Sequence, residues 1–334
     1  MADAIPFPAY PTRRQWLASA AATTALMPLA LRAQAPAWPS KPLRIVVGFP
    51  AGTSPDLLAR AIADPMARLL GQPVIVENRV GASGVLGADV LAKATDEHSF
   101  GVVGNAALTS APLLNPRLPY RVQDLAPITV IGSSPLLIVA SSRIAFDSPA
   151  DFFKQARAAG DRWSYGSLGV GSGSHLITEL LKANAGLQAV HVPFNGAPAV
   201  INAMIGGDIH LAVLPIGTAL AQVQAGRIRG VAVTSASRSI LAPEMPPLPD
   251  AGVAALNVEI WNAVMAPASL PKARRDVLAK AAVAVIRSDD LRHKLFQQGW
   301  RAEGTTPEAL TQRIREDTAL YREIIAARHI TVDG

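Results

Sequence analysis

Three loops in this chain concentrate glycine, serine and threonine immediately ahead of helix-like runs. The first, Pro50-Ala51-Gly52-Thr53-Ser54-Pro55-Asp56, follows the β-like run LRIVVGF at 43–49 and opens LLARAIADPMARLL. The second, Asn78-Arg79-Val80-Gly81-Ala82-Ser83-Gly84, follows a β-branched run at 74–77. The third, YGSLGVGSGSH from Tyr165 to His175, follows one at 163–165. A strand that feeds such a loop into a helix leaves first-turn amide N–H groups without carbonyl partners, aimed at one spot, and the chemistry this implies is anion binding. In the first loop Ser54 is placed as N-cap with Pro55 at the first helical position. Thr53, Ser54 and the following amides would then hold a carboxylate, with Asp56 ordering the loop or a water. An ordinary capped helix accounts for the same residues. In the second loop Arg79 would pair with an acid, either a ligand's or the protein's own.

Other chemistries find less support. Ser172 or Ser174 beside His175 suggests a serine hydrolase, but no G-x-S-x-G elbow is present, and adjacent residues rarely set nucleophile and base in line. The third loop has neither the Lys-Ser/Thr pair of a phosphate loop nor the dinucleotide spacing with its downstream acid. Six histidines, His98, His175, His191, His210, His293 and His329, show no H-x-x-x-H or H-E-x-x-H spacing, so no metal site is expected. Cysteine is absent, which removes disulfides, thiolate ligands and a Cys nucleophile together. No cofactor is expected, and the chain reads as a non-enzyme.

The elements that must position these loops alternate in kind. Strands are expected at 43–49, 74–77, 100–103, 128–132, 136–140, 163–165, 189–192, 211–214, 230–234 and 258–266. Helices are expected at 54–70, 84–94, 149–159, 174–185, 197–205, 218–225, 272–287, 289–298 and 307–327. Strand and helix in turn imply βαβ units on mixed, mainly parallel sheets flanked by helices, an α/β architecture. Asp64-Pro65 falls inside the first helix, where a proline costs about 3 kcal/mol, so a bend or break is expected there.

With 334 residues, 50% hydrophobic and 17% charged, the chain has enough apolar material for two domains. A Pro-rich stretch (Pro112, Pro116, Pro119, Pro127) precedes 128–140, and a second (Pro243, Pro246, Pro247, Pro249) precedes 258–266. The closing strand and three helices have no further sheet of their own. The simplest arrangement is one lobe from 38–128 with 240–334 and another from 129–239, joined by two crossover segments, which makes a hinged binding protein with its ligand between lobes.

Before residue 38, Thr12-Arg13-Arg14 leads into an Ala-rich apolar run from 17 to 31 and then small residues. This reads as an export signal over 1–33, with an apolar run too short to span a bilayer. The arginine pair also fits a twin-arginine route. The net charge of +6 includes three Arg and one Asp from this segment. The remaining basic residues are scattered, so general surface charge is favoured over nucleic-acid binding.

Across nearly the whole exported part, the blocks WPSKPLRIVVGFPAG, LGQPVIVENRVGASGVLGADVLAKA, LPYRVQDLAPITVI, WSYGSLGVGSGSHLITELL, VHVPFNGAPAVINAMIGGDIHLAV and QAGRIRGVAVTSASRS occur in order. They resemble the periplasmic substrate-binding proteins of tripartite tricarboxylate transporters, the Bug or TctC family. The resemblance implies a two-lobed Venus-flytrap receptor, monomeric, that binds a small carboxylate metabolite and delivers it to a membrane permease. A sensor presenting its closed form to a signalling partner is the alternative. Carried over by position, the implied contacts are Phe49, Ala51, Gly52, Thr53, Ser54 and Asp56 from one lobe. Ser167, Gly171, Ser172, Gly173, Ser174 and His175 come from the other, with Asn105, Ala106, Phe194, Asn195 and Pro215 at further loop ends. The chain departs from the family at Ala51-Gly52-Thr53, Val80, the shortened Phe194-Asn195-Gly196, His210, and Leu214 with Ile216. These departures imply a less charged distal pocket, and hence a ligand with one anchored carboxylate and an apolar or aromatic remainder.

Overall fold

Short apolar runs in this chain become strands, and the inner ones are covered on both faces because the βαβ connections return helices to both sides of the sheet. The computed structural model describes residues 38–256 and 258–331; the expected export signal over 1–33 lies outside them. β1 (Leu43–Val47) leads through the first loop into α1 (Ser54–Leu70), β2 (Val74–Asn78), α2 (Val85–Ala92) and β3 (Ser99–Gly104). Two four-residue helices, α3 (Asn105–Leu108) and α4 (Ala111–Leu114), precede the long β4 (Leu125–Ser141). Then come α5 (Pro149–Ala159), β5 (Ser164–Ser167), α6 (Gly173–Ala185), β6 (Val190–Pro193), α7 (Ala197–Gly206), β7 (Leu211–Pro215), α8 (Ile216–Gln224) and β8 (Ile228–Val233). β9 (Glu259–Pro267), α9 (Lys272–Ile286), α10 (Asp289–Gln297), β10 (Arg301–Ala302) and α11 (Pro307–Arg328) close the chain.

The strand order β2-β1-β3-β9-β4-β7-β5-β6 joins two half-sheets through β4. Pairing is parallel at the outer strands, β1 with β2 and β3 and β5 with β6 and β7. It is antiparallel wherever β4 or β9 takes part. The fold is therefore a two-lobed α/β binding-protein architecture with a mixed sheet in each half.

β4 differs from the two strands expected at 128–132 and 136–140. It is one 17-residue strand running through Ser133-Ser134-Pro135. Its first part, Leu125 to Pro135, pairs with β9, and from Leu136 it pairs with β7. Pro135 sits where the ladder changes partner, a place where a missing N–H donor is tolerated.

α1 also runs on past Asp64-Pro65 to Leu70, without the expected break. Leu58, Ile62 and Met66 are fully buried along its inner face, and their packing outweighs the single lost hydrogen bond at the half-buried proline. α11 spans the two halves: Trp261 Nε1 on β9 donates to Asp317 at 2.6 Å, and Arg328 lies 3.7 Å from Glu179 on α6.

Candidate ligand site between the half-sheets

Close backbone packing sets the first loop in place. A Cβ on Gly48 would come within 2.6 Å of the Gly84 Cα, and one on Gly87 within 2.5 Å of the Gly48 Cα, so only glycine permits α2 to lie this near β1. The loop then turns through Gly52, at φ +80°, into α1. The cap of α1 is Thr53, one residue before the Ser54 expected from sequence, and Pro55 occupies the second helical position. The Thr53 hydroxyl does not cap. It donates to the Pro50 carbonyl at 2.6 Å, closing the loop on itself.

Asp56 is buried and accepts hydrogen bonds from the Gly52 amide, Arg60 Nε and Asn78 Nδ2, each at 2.9 Å. Burial raises its pKa, but Arg60, the Gly52 amide and Asn78 together hold it below the usual carboxylate value. Its role is to order the loop. Arg79 pairs with the protein's own Glu77.

The third loop is built on two left-handed glycines, Gly169 and Gly171. Ser172 caps α6, its hydroxyl accepting the His175 N–H at 3.2 Å. Beneath the loop the His175 and His191 rings stack with centroids 4.0 Å apart. His175 Nδ1 accepts the Gly171 N–H at 3.1 Å, and Ser167 Oγ lies 2.6 Å from His191 Nε2. Burial pushes both histidines down, to about 4 each, so both are neutral at pH 7.

The loops of the two halves meet. Ser54 Oγ is 3.4 Å from Thr218 Oγ1, and Ser110 Oγ donates to the Gly171 carbonyl at 2.6 Å. Between them lies an inner cavity of about 80 Å³, walled by Phe49, Thr53, Ser54 and Pro55, by Ser83, by Gly104, Asn105 and Ala106, and by Leu168. Ser172, Gly173, Ser174, Gly196, Ala197, Pro215, Ile260, Trp261 and Asn262 complete its wall. An outer cavity of about 580 Å³ shares Ser83 and Ala106 with it and is lined mainly by Ala82, Val85, Ala111, Leu114, Val170, Phe194 and Ala199.

Three helices, α1, α6 and α7, place their first residues at the inner cavity, and α8 reaches it through its cap, Pro215. Among the described residues, no charged side chain lines either cavity. Such a wall presents backbone donors and the positive ends of helix dipoles to whatever enters, and is suited to an anion.

Of the residues expected from sequence, Phe49, Thr53, Ser54, Asn105, Ala106, Ser172, Gly173, Ser174 and Pro215 line the inner cavity. Gly171, Phe194 and Asn195 line the outer one. Ala51, Gly52, Asp56, Ser167 and His175 lie outside both walls. Asn262, Trp261 and Ile260 were not signalled by the sequence, because they sit within a strand and carry no loop signature.

His210 departs from its expected bearing on the pocket. It accepts the Ser164 N–H at 3.0 Å and stacks on Trp163, away from both cavities. Leu214 and Ile216 are likewise fully buried core residues. The departures that do reach the cavities are Thr53 and Phe194-Asn195-Gly196. A serine-hydrolase arrangement does not form. Ser172 is used as a cap and Ser174 Oγ donates to the Val213 carbonyl, so neither hydroxyl is bonded to the His175 ring.

The family model for the tripartite tricarboxylate transporter family receptor matches residues 58–330. The chain belongs to this family. Among curated relatives, protein BugT of Bordetella pertussis is 31% identical over 289 residues, which is 85% of this chain and 86% of BugT. Among solved structures, an R. palustris protein with adipate superposes with a TM-score of 0.84 at 28% identity, over 88% of this chain and 99% of that one. MatC from Rhodopseudomonas palustris, with bound malate, gives 0.80 at 26%, over 86% and 100%. The periplasmic binding protein BugD gives 0.81 at 26%, over 88% and 99%. Of these relatives, BugD is a periplasmic binding protein.

Proposed function

We propose that this family receptor is exported by the segment 1–33, works in the periplasm as a monomer, and hands a small carboxylate to a membrane permease. The observation that carries the reading is the inner cavity itself, where the N-termini of α1, α6 and α7 and the Pro215 cap of α8 meet and, among the described residues, no side-chain cation lines the wall. Each helix end contributes about 0.3–1 kcal/mol toward a bound carboxylate. Shape and hydrogen bonds supply the remaining selectivity.

The outer cavity, lined by alanine, valine, leucine and phenylalanine, suits an apolar or aromatic remainder attached to one anchored carboxylate. Adipate and malate in the related structures support the carboxylate class. The lobes we assign are 38–128 with 240–334, and 129–239, joined by two crossover segments. A ligand touching both lobes binds the closed form better than the open one, and that difference drives closure.

Native mass spectrometry of the protein purified from its host tests the reading, because a co-purified organic acid is expected. A thermal-shift panel adds the finer test. Stabilisation by monocarboxylates with apolar bodies is expected, and stabilisation by small di- or tricarboxylates alone would contradict the proposed ligand class.

A further inference from the structure

The helix N-termini proposed to hold a carboxylate leave one buried acceptor unexplained. Asn262, on β9, is 4% exposed and lines the inner cavity. In register it lies between Gly104 of β3 and Gly132 of β4. Its Oδ1 has no hydrogen-bond partner among the described residues. A Cβ at Gly104 would stand 3.4 Å from that oxygen, so the neighbouring glycine leaves its surroundings open.

Other polar groups of the wall are already engaged. Thr53 donates to the Pro50 carbonyl, Ser174 to the Val213 carbonyl and Asn105 Nδ2 to the Tyr321 hydroxyl at 3.1 Å, while Ser172 accepts the His175 N–H. A buried acceptor without a donor is costly, and a ligand that supplies the donor recovers that cost.

We propose that Asn262 is a specificity residue that accepts a hydrogen bond from a hydroxyl carried by the ligand next to its carboxylate, so that the receptor selects hydroxy acids over their deoxy counterparts. This rests on the carboxylate-receptor reading above. Asn262 and the first residues of α1, α6 and α7 line the same cavity, so a carboxylate held at those helix ends brings the neighbouring atoms of its ligand to the wall that Asn262 shares. A hydroxyl fits better than an ammonium group, because the wall offers no anion to a second charge and already presents positive helix ends.

Calorimetric titration of the exported chain with two matched pairs, mandelate against phenylacetate and malate against succinate, tests this. In each pair that binds, the hydroxy acid is expected to bind about tenfold more tightly or better. In Asn262→Leu that ratio collapses toward one. Equal affinities within the pairs for the wild-type protein would overturn the proposal without recourse to any variant, as would an unchanged ratio in Asn262→Leu. If none of the four acids binds, the carboxylate-receptor reading fails and this inference fails with it. Binding with no hydroxyl preference refutes the inference alone.

Discussion

Lowering the pH from 7 to 4 should loosen the third loop through the His175–His191 pair. His175 Nδ1 accepts the Gly171 N–H, so protonation sets two donors against each other at the base of the loop that caps α6. His175 is 6% exposed and its pKa is pushed down to about 4, first by burial, with Lys182 acting in the same direction and Glu179 against it. In the unfolded chain the imidazole takes up its proton near its ordinary 6.5, whereas the folded chain delays this to about 4. The unfolded state therefore binds more protons between these values. Stability is complete above 6.5 and falls progressively as pH drops to about 4. The difference amounts to about 3 kcal/mol from His175 alone. At roughly 2 °C per kcal/mol for a chain of this size, that is about 6 °C in Tm.

His175→Asn keeps an acceptor at the Nδ1 position and removes the titration. Differential scanning calorimetry at pH 7 and pH 4 should show the wild type losing about 6 °C more than this variant. His191, lowered first by burial and then by a protonated His175, continues to titrate in both proteins. An equal loss in the two proteins would refute the linkage argued from the Gly171 contact.

Other substitutions separate loop order from ligand contact. Asp56→Asn removes the charge that orders Gly52, Arg60 and Asn78; a several-fold loss of carboxylate affinity at unchanged stoichiometry is expected by calorimetry, although the residue does not line the cavity. Gly48→Ala drives a methyl group to within 2.6 Å of the Gly84 backbone and should destabilise the fold by about 1–3 kcal/mol in chemical denaturation. Ser172→Ala removes a cap and should cost about 1 kcal/mol in the same assay. Combined with Ser54→Ala, it should weaken ligand binding while circular dichroism stays native.

The sequence made legible those parts of the site that depend on local chemistry. Glycines and hydroxyls placed after a β-branched run announce a helix N-terminus, and the loops at 50–56 and 165–175 do meet at one cavity. Contributions that depend on long-range register were not legible. Asn262 faces the cavity because β9 pairs with β3 on one side and β4 on the other, and nothing near it in sequence marks that. Ser133-Ser134-Pro135 carries turn residues, yet strand partners on both sides hold it extended. His210 looked like a pocket substitution because its sequence block adjoins one, while its ring packs on Trp163. Thr53 displaced Ser54 as cap because its hydroxyl closes on Pro50, which fixes where the helix starts.

The central claim is that converging helix N-termini, rather than side-chain cations, hold a carboxylate in the inner cavity. Calorimetry of the exported chain with adipate, malate and phenylacetate, each beside its uncharged amide, tests this most directly. At least one acid should bind with one-to-one stoichiometry, and its amide should bind about tenfold more weakly or worse, as these helix ends acting together on a charge require. Equal binding of acid and amide, or no binding by any of the acids, would contradict the account.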